Sequence, residues 1–499
     1  MAFAVACTPL PSLDGRTASR AFADTADTRL GRAVEPRVQK NPGTSGVVAL
    51  PNGRDAFAAR ILLADAAERS LDVQYYIWQN DMTGILLLEA LHRAADRGVR
   101  VRLLLDDNNT SGLDQVLAAL NDHDNIAVRL FNPFMIRSLR PLAYLLDFSR
   151  LNRRMHNKSF TADNQATIIG GRNVGDEYFG AADDDLFADL DVLAVGPVVK
   201  AVSQDFDRYW ASDSSYPTDR ILPKPDSLDG PSLAESARRF ASESNAQQYL
   251  DAVAGRPFVD ELLAGRLRFE WAPTRMVSDD PVKGLGLAAD HAMLPHQLGD
   301  LLGEPQERVH LVSSYFVPAE AGTHALRALA ERGVEVQVLT NSLQATDVLP
   351  VHAGYAKRRR ALLQAGIVLF EMKRLSSESS SPDVGIAGSS ASSLHAKTFS
   401  VDGERVFIGS YNFDPRSARL NTEMGFLIES PELAERLAEV FEQKVPHRAY
   451  QVRLDKSGDP EWLEHRGDGV VVHDVEPGTS RWQRAAVRFI ALLPVEWLL

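Results

Sequence analysis

Two segments with the same internal spacing decide the fold of this chain: HNKSFTADNQATIIGGRN at residues 156–173 and HAKTFSVDGERVFIGSYN at residues 395–412. Each begins with His-x-Lys, continues after four further residues to Asp, and ends on Asn. One copy alone would usually be a surface strand and a turn, but two copies in the same frame indicate duplicated structure.

The sequence that precedes each segment is also repeated. Residues 70–107 have the pattern of strand, amphipathic helix and strand, residues 308–342 repeat that order, and a third strand follows at 126–134 and at 366–373. Short apolar runs that alternate with helices predict βαβ units. We therefore predict an α/β fold of two homologous lobes, each a mainly parallel β-sheet flanked by helices. A pseudo-twofold axis would relate the lobes and give them one shared active site.

Composition and the repeat set the predicted boundaries. We expect an extended leader at 1–46, the first lobe at 47–214, a linker with connecting helices at 215–285, the second lobe at 286–450, and a C-terminal tail with an amphipathic segment at 451–499. The Ser-rich tract at 376–393 lies directly before His395, which makes it a candidate lid.

Charge and cysteine content exclude several classes of protein. The chain has 67 acidic and 54 basic residues, a net charge of −13, which argues against an extended phosphate-tracking surface, so no nucleic-acid partner is expected. The single cysteine, Cys7, excludes an internal disulfide framework and a cysteine-based zinc site. No apolar run reaches eighteen residues, so no membrane-spanning segment is predicted.

The paired segments carry a set of side chains that suits a phosphodiester. Residues two apart on a strand share a face, so the His and Lys of each segment should point the same way, and the returning strand should bring Asn back to the His. Packing of the lobes about a twofold would then form one pocket. The predicted catalytic residues are His156, Lys158, Asp163, His395, Lys397 and Asp402, with Asn173, Asn412 and Ser410 on the phosphate.

The chemistry expected of this set needs two histidines in different roles. A neutral imidazole attacks phosphorus, and the opposite imidazolium protonates the departing alkoxide, while the Lys and Asn donors hold the non-bridging oxygens, so no metal or other cofactor is required. Each imidazole also needs a partner on its other nitrogen. Alignment of DLDVLAVGP with EMGFLIESP nominates Asp189 and Glu423 as these partners. For Asp163 and Asp402, a role confined to the hairpin turn and charge pairing remains the alternative.

These motifs resemble the paired His-Lys-Asp motifs of the phospholipase D superfamily, over residues 47–450. The resemblance implies ping-pong phosphatidyl transfer through one histidine, which we take to be His156. The first loop departs from the family's usual Gly-Ser because it carries Gly171, which removes a hydroxyl there. Within the superfamily, YYIWQND, LTNSLQATDV, IGSYNFDPRSARLNTEMGF and LLPVEWLL are similar to bacterial cardiolipin synthases, in particular the cardiolipin synthase C branch.

That branch implies transfer of a phosphatidyl group from phosphatidylethanolamine or phosphatidylglycerol to the glycerol hydroxyl of phosphatidylglycerol. Hydrolysis of phospholipids to phosphatidic acid uses the same residues and remains an alternative, because only exclusion of water separates the two reactions. A phosphodiesterase or nuclease is disfavoured by the acidic charge. A non-catalytic lipid-binding module is disfavoured by the intact double motif.

Three segments suggest a protein associated peripherally with a bacterial membrane. The tail at 480–499 and the insert at 136–154 combine arginines with large apolar residues, as interfacial helices do, although the tail could equally dock on the second lobe. Ala4-Val5-Ala6-Cys7 resembles the end of a lipoprotein signal. Either the true start lies upstream and Cys7 is lipidated, or Cys7 is a free thiol in the leader. The basic run at 357–360 predicts a solvated helix face, with a lipid-phosphate site as the alternative. No feature indicates a protein partner.

Overall fold

A computed structural model describes residues 9–180, 189–224, 233–374 and 394–499, apart from residues 243, 259, 260, 262, 263, 468 and 495. Cys7 and the Ser-rich candidate lid lie outside the described residues. Two sheets organise what is described, one in each half of the chain.

The first sheet has nine strands, in the order β8-β4-β3-β2-β5-β6-β7-β1-β9. Its strands are β1 Ser45–Leu50, β2 Ser70–Ile77, β3 Arg100–Asn109, β4 Ile126–Phe131, β5 Ser159–Ala162, β6 Ala166–Gly170, β7 Asp191–Val195, β8 Ser215–Pro217 and β9 Glu270–Ala272. The pairs β2–β3 and β3–β4 are parallel. Every other pair in this sheet is antiparallel.

The second sheet has ten strands, in the order β10-β16-β15-β14-β11-β12-β13-β17-β18-β19. Its strands are β10 Thr274–Ser278, β11 Arg308–Ser313, β12 Glu335–Asn341, β13 Val368–Met372, β14 Lys397–Val401, β15 Arg405–Gly409, β16 Met424–Glu429, β17 Ala449–Leu454, β18 Pro460–Arg466 and β19 Gly469–His473. The parallel pairs are again confined to three strands, β11, β12 and β13.

The prediction of two homologous α/β lobes is therefore confirmed, but the sheets are mixed and not mainly parallel, because parallel order is limited to the three repeated strands of each. The reason is the connections. Those three strands follow one another through helical crossovers and lie side by side, as parallel pairing requires. The His-Lys strands instead return through tight hairpins, and the other strands join the sheet from elsewhere in the chain.

Helices cover both sheets. They are α1 Arg29–Lys40, α2 Gly53–Ala66, α3 Met82–Asp96, α4 Asp114–Asn121, α5 Arg140–Leu146, α6 Phe148–Leu151, α7 Asp176–Phe179, α8 Pro197–Ala211, α9 Leu233–Ser242, α10 Ser244–Ala254, α11 Leu294–Leu302, α12 Ala319–Glu331, α13 Leu349–Gln364, α14 Pro415–Arg419, α15 Pro431–Glu439, α16 Val445–Arg448 and α17 Arg481–Ala491. In the described part of the chain, no helix has both the length and the apolar character needed to cross a bilayer.

The lobes pack against each other through their sheets. Val47, Ile169 and Val192 of the first lobe share one buried apolar cluster with Ile408 and Phe426 of the second. At one end of this interface a backbone bridge joins Met155 to Thr422. The region that contains the His-Lys motifs is thus built by both halves of the chain.

Three predicted boundaries need correction. The leader is not extended throughout, because α1 begins at the N-cap Thr28, whose side chain accepts from the Gly31 amide, and buries Val34. The predicted linker contributes strands to both sheets, β9 to the first and β10 to the second. The predicted tail begins with a further hairpin, β18–β19, which extends the second sheet beyond β17.

Candidate active site

Two tight hairpins place the His-Lys motifs. Strand β5 pairs antiparallel with β6, and β14 pairs antiparallel with β15. The turns lie at Asp163-Asn164, with φ of 51° and 52°, and at Asp402-Gly403, with φ of 54° and 66°. Two consecutive left-handed residues match the twist of a two-stranded ribbon, which explains the Asp-Asn and Asp-Gly pairs. The motif His lies at the opposite end of each hairpin, where the two lobes meet.

Each motif histidine takes its carboxylate partner from the other lobe. The His156 amide donates to the Thr422 carbonyl over 2.9 Å, which brings the next residue, Glu423, beside the imidazole. His156 Nδ1 lies 2.8 Å from Glu423 Oε2. His395 Nδ1 lies 2.6 Å from Asp189 Oδ2. The two carboxylates nominated by alignment are thus exchanged between the lobes.

A carboxylate at Nδ1 fixes the chemistry of the rest of the ring. An ionised carboxylate only accepts hydrogen bonds, so Nδ1 of the neutral imidazole beside it carries the proton, and the lone pair is left on Nε2. Asp189 meets this condition at neutral pH, and Glu423 meets it once the pH exceeds about 7. Ring orientation is fixed further by aromatic edges, with Tyr76 at 4.8 Å from His156 and Tyr178 at 5.3 Å from His395 between ring centroids. Sequence reasoning missed both tyrosines, although YYIW and EYFG stand next to motif elements.

The two histidines differ in electrostatic environment. Burial, followed by the ammonium groups of Lys158 and Lys397, lowers the pKa of His156 well below its ordinary value. Burial and Lys397 also lower the pKa of His395, but the charge of Asp189 and its hydrogen bond oppose that effect. His156 is therefore held neutral, and His395 is the ring whose protonated form is better supported.

The two carboxylates that contact these histidines also differ in pKa. Burial raises the pKa of Glu423 to about 7, even though Lys158 and a hydrogen bond from Ser410 favour its ionised form. Burial would also raise the pKa of Asp189, but His395 and Lys397 outweigh it and bring that pKa below its ordinary value. Asp189 is thus a permanent anion at neutral pH, whereas Glu423 titrates close to neutrality.

Gly171, where the first loop departs from Gly-Ser, leaves room for a neighbouring carboxylate. A Cβ added to Gly171 would lie 2.0 Å from Asp189 Oδ1, so the carboxylate of Asp189 occupies the space that a serine would need. In the second lobe the equivalent residue is Ser410, whose hydroxyl donates to Glu423 Oε2 over 2.5 Å. Ser410 therefore supports the carboxylate of Glu423, and its hydroxyl is already committed to that bond.

The lysines and asparagines of the motifs converge on the histidines. Lys158 Nζ donates to the His156 carbonyl over 2.7 Å, and Lys397 makes the equivalent bond to the His395 carbonyl. Burial lowers the pKa of Lys158 to about 7 and that of Lys397 to about 8. An anion in the pocket would stabilise both ammonium groups, because neither has a carboxylate partner among the described side chains within ion-pair distance.

The two asparagines are held in the same way. Asn173 Oδ1 accepts from the Ile77 amide over 3.3 Å, and Asn412 Oδ1 accepts from the Tyr315 amide over 3.4 Å. These bonds turn each amide so that Nδ2 points away from the strand. Asn173 Nδ2 is buried and makes no hydrogen bond of good geometry among the described residues, although the Tyr178 hydroxyl lies near it. It is therefore available to donate to a substrate oxygen.

The aspartates of the motifs do not belong to this pocket. Asp163 accepts from the amides of Glu68, Arg69 and Ser70, the closest at 2.7 Å. Asp402 accepts from the equivalent amides ahead of β11, the closest at 2.8 Å. These contacts support the alternative that the sequence left open, in which both aspartates hold the hairpin turn to the start of the neighbouring strand.

The basic run on α13 is also explained by internal contacts. Arg359 Nη2 donates to Glu476 over 2.8 Å and Arg358 Nη2 to Glu496 over 2.9 Å. Arg360 pairs with Asp459. This run is neither a free helix face nor a lipid-phosphate site, because it ties the end of the chain to the second lobe.

Comparisons with known proteins agree with this geometry. The family model described as "Cardiolipin synthase, PLD-like domain" matches residues 61–210 and 298–445. Cardiolipin synthase C of Escherichia coli is 52% identical over 94% of this chain and 100% of its own length. An uncharacterised Helicobacter pylori protein is 31% identical over 94% of this chain and 93% of its own length. A crystal structure of phosphatidylserine synthase from Haemophilus influenzae, 16% identical, superposes with a TM-score of 0.56 over 93% of this chain and 99% of that chain, which shows the shared fold.

Proposed function

Because this chain belongs to the phospholipase D-like cardiolipin synthase family, we propose that it is a phosphatidyltransferase that forms cardiolipin from two phospholipids. The observation that carries the proposal is the pair of crossed histidine–carboxylate contacts, at 2.8 Å and 2.6 Å, which direct two imidazoles of different basicity toward one pocket. The donor is phosphatidylethanolamine or phosphatidylglycerol, and the acceptor is the glycerol hydroxyl of phosphatidylglycerol.

His156 is the nucleophile in this proposal. Burial and two neighbouring ammonium groups keep its ring neutral, and Glu423 holds the proton on Nδ1, so the Nε2 lone pair is free to attack phosphorus. A nitrogen–phosphorus bond forms as the bond from phosphorus to the headgroup oxygen breaks. The phosphatidyl group is then held on the enzyme as a phosphohistidine.

His395 is the general acid and base. Asp189 stabilises its imidazolium, which gives its Nε2 proton to the departing headgroup oxygen. In the second step the acceptor hydroxyl returns a proton to His395, its oxygen bonds to phosphorus, and the bond to His156 breaks. The sequence of bonds leaves the enzyme unchanged and yields cardiolipin.

The remaining pocket residues stabilise charge on phosphorus. Lys158 and Lys397 supply two ammonium groups, and the Nδ2 groups of Asn173 and Asn412 supply donors for the non-bridging oxygens. Preorganised donors of this kind usually contribute the largest share of catalysis. This set provides the positive charge that phosphoryl transfer needs, and we expect the reaction to require no metal ion.

Access to lipid comes from an apolar surface, which we define as the exposed residues of the insert and tail. In the insert, Leu139, Leu145 and Phe148 are exposed, Leu145 to 81%. Two arginines of the insert face inward instead: Arg137 pairs with Asp107 and Asp114, and Arg154 binds Asp106. Ion pairs thus turn the leucines outward, immediately before the segment that carries His156.

The tail contributes the other part of this surface. Val487 on α17 is buried against Leu343 and Ala353, so the helix docks on the second lobe. On its other side Trp482 and Leu492 are each 84% exposed. A helix with one face docked and large apolar residues on the other is suited to contact with a bilayer, so docking and membrane contact are compatible.

Purified protein incubated with labelled phosphatidylglycerol, with and without phosphatidylethanolamine, tests the reaction. We expect labelled cardiolipin as the product; phosphatidic acid alone would assign the protein to hydrolysis. His156→Ala should abolish both turnover and a covalently bound label after rapid quenching. His324→Ala, at an exposed position of α12, is the control and should retain both.

Liposome flotation tests the surface. Replacing Trp482 and Leu492 with Ser should lower the fraction of protein bound to anionic vesicles, since interfacial affinity scales with buried apolar area. Equal flotation of this variant and the parent protein would assign the tail to packing alone.

A further inference from the structure

A groove of about 590 Å³ lies beside the catalytic pocket, in the size range of small-ligand sites. It runs between the segment ahead of α11 and the start of α12. Its floor and walls are largely apolar and include Met293, Val317, Ala321, Phe413, Ala418 and Trp497. Neither the motif residues nor the reaction described above uses it.

The groove and the catalytic pocket share one stretch of chain. Asn412 is buried, and its amide is held by Tyr315 and Ser314 on the side of the catalytic histidines. The residues on either side of it, Tyr411 and Phe413, line the groove instead. Successive residues of an extended segment point to opposite sides, so this one loop borders both cavities and places them next to each other.

One end of the groove is cationic. A smaller cavity of about 380 Å³ shares Asp290, Met293, Arg419 and Trp497 with the groove and adds Arg153. Arg153 Nη1 donates to the Arg419 carbonyl over 3.3 Å, which holds the two arginines together across the lobe boundary. In the part of the chain that the structure describes, no carboxylate lies within ion-pair distance of either guanidinium.

Two other charged groups lie at this end of the groove, and neither of them neutralises the two guanidiniums. Lys283 is already neutralised by Asp279, whose Oδ2 lies 2.8 Å from its Nζ. Asp290 is exposed at the rim and is the one carboxylate in the lining of the smaller cavity. The other carboxylates of the groove, Glu320, Asp414 and Glu496, lie outside that lining, and Glu496 is paired with Arg358. Two unpaired guanidiniums opposite one exposed carboxylate favour an anionic ligand, and arginine binds phosphate oxygens in two-point geometry.

Trp497 is fixed where the apolar and cationic parts meet. Arg416 Nε donates to the Leu498 carbonyl over 3.1 Å, and its amide donates to the Leu499 carbonyl over 2.6 Å. Arg416 Nη2 also donates to Asn152 Oδ1 in the insert over 2.7 Å. The end of the chain is thus pinned against both lobes, and the Trp497 side chain, 61% exposed, stands at the groove mouth.

We propose that this groove is the binding site of the acceptor phospholipid, an anionic glycerophospholipid whose phosphate lies between Arg153 and Arg419. One acyl chain lies in the groove against Val317 and Phe413 and under Trp497. The inference rests on the proposed function, because a transferase must hold a second lipid beside the covalent intermediate.

Binding of dihexanoyl phosphatidylglycerol below its micelle concentration tests the site without turnover. Isothermal titration uses full-length protein with His156→Ala, in which we expect two bound lipids per chain. Ala321→Trp, at an exposed position of α12, fills the groove and should reduce the stoichiometry to one. Arg419→Glu should weaken the second site by about tenfold or more. Arg327→Glu makes the same charge change at the exposed far end of α12 and should leave both sites intact.

Kinetics of the otherwise wild-type protein separate failure of this site from failure of the proposed function. If cardiolipin forms and Ala321→Trp and Arg419→Glu raise the KM for the acceptor while formation of the covalent intermediate is unchanged, the assignment holds. If cardiolipin forms and neither variant alters acceptor KM or stoichiometry, the site is wrong. Equal binding of glycerol phosphate, which has no acyl chain, would also overturn it. Absence of cardiolipin with two bound lipids would reject the transfer reaction alone.

Discussion

The exchanged carboxylates should respond to neutralisation with opposite signs, and Glu423→Gln is the sharper case. Burial raises the pKa of Glu423 from an ordinary 4.5 to about 7, so the folded protein favours the protonated form. The protonated Glu423 side chain therefore stabilises the folded protein relative to its ionised form. This stabilisation is fully present below about pH 4.5 and is lost as the pH rises through about 7. At 1.36 kcal/mol for each pKa unit, the ionised carboxylate lowers the free energy of unfolding at pH 8 by roughly 3 kcal/mol.

A neutral, isosteric Gln removes this penalty. We expect Glu423→Gln to raise the free energy of unfolding at pH 8 by up to roughly 3 kcal/mol, and by less than about 1 kcal/mol at pH 5, where the folded wild-type side chain is already protonated. Activity should fall at the same time, since loss of the carboxylate that fixes a catalytic tautomer costs on the order of 10⁴-fold in rate.

Asp189→Asn is the matched comparison. The pKa of Asp189 lies below its ordinary value because His395 and Lys397 outweigh burial, so its ionised form stabilises the folded protein. Its replacement should lower the free energy of unfolding at pH 8. Urea unfolding of wild type and both variants at pH 5 and pH 8, with a product assay on the same samples, measures these effects. If both variants have a lower free energy of unfolding than the wild type at pH 8, the inferred difference in pKa shift between the two carboxylates is refuted.

Three further outcomes are expected. Asp163→Ala and Asp402→Ala should each lower the free energy of unfolding by about 1–3 kcal/mol, because amides at the start of a strand lose their hydrogen-bond acceptor. The folded fraction of each variant should keep the kcat of the wild type. A loss of kcat without a loss of stability would return these residues to the catalytic site. The kcat/KM profile should rise as Glu423 ionises through about pH 7, because its carboxylate must accept the Nδ1 proton of His156. It should fall at higher pH, because deprotonation of Lys158 and then Lys397 removes charge that binds phosphate. A profile that stays flat to pH 9.5 would contradict the lowered pKa values of the two lysines. EDTA should leave activity unchanged, and inhibition that a divalent ion reverses would show that the two lysines do not supply all the positive charge.

Much of the pocket could be predicted because its residues repeat. The spacing from His to Asn fixed both hairpins, and alignment of the following strands identified Asp189 and Glu423. The exchange of these partners could not be predicted, because it depends on the bridge from Met155 to Thr422, a contact between lobes with no local signal. The role of Asp163 was visible only as a turn preference, since the amides it binds lie about a hundred residues earlier in the chain.

Features outside the repeat were harder to predict. Helix α1 contains Pro36 and is largely polar, so its periodicity is weak, although Thr28 is a typical N-cap. The strands β18 and β19 bury few of their side chains, so their sequence lacks a clear apolar pattern, and the prediction assigned them to the C-terminal tail. The contacts of Arg358 and Arg359 with Glu496 and Glu476 depend on where the chain returns, which composition does not reveal.

Neither half of this protein can orient its own catalytic histidine, because the carboxylate that contacts each imidazole is encoded in the other half. A fragment containing only one repeat should fold its hairpin and remain inert, and mixing two fragments should restore turnover only after they associate. Recombination between distant relatives is constrained in the same way: a hybrid must match the length of each acidic side chain to the loop that faces it, as Asp189 matches Gly171 and Glu423 matches Ser410.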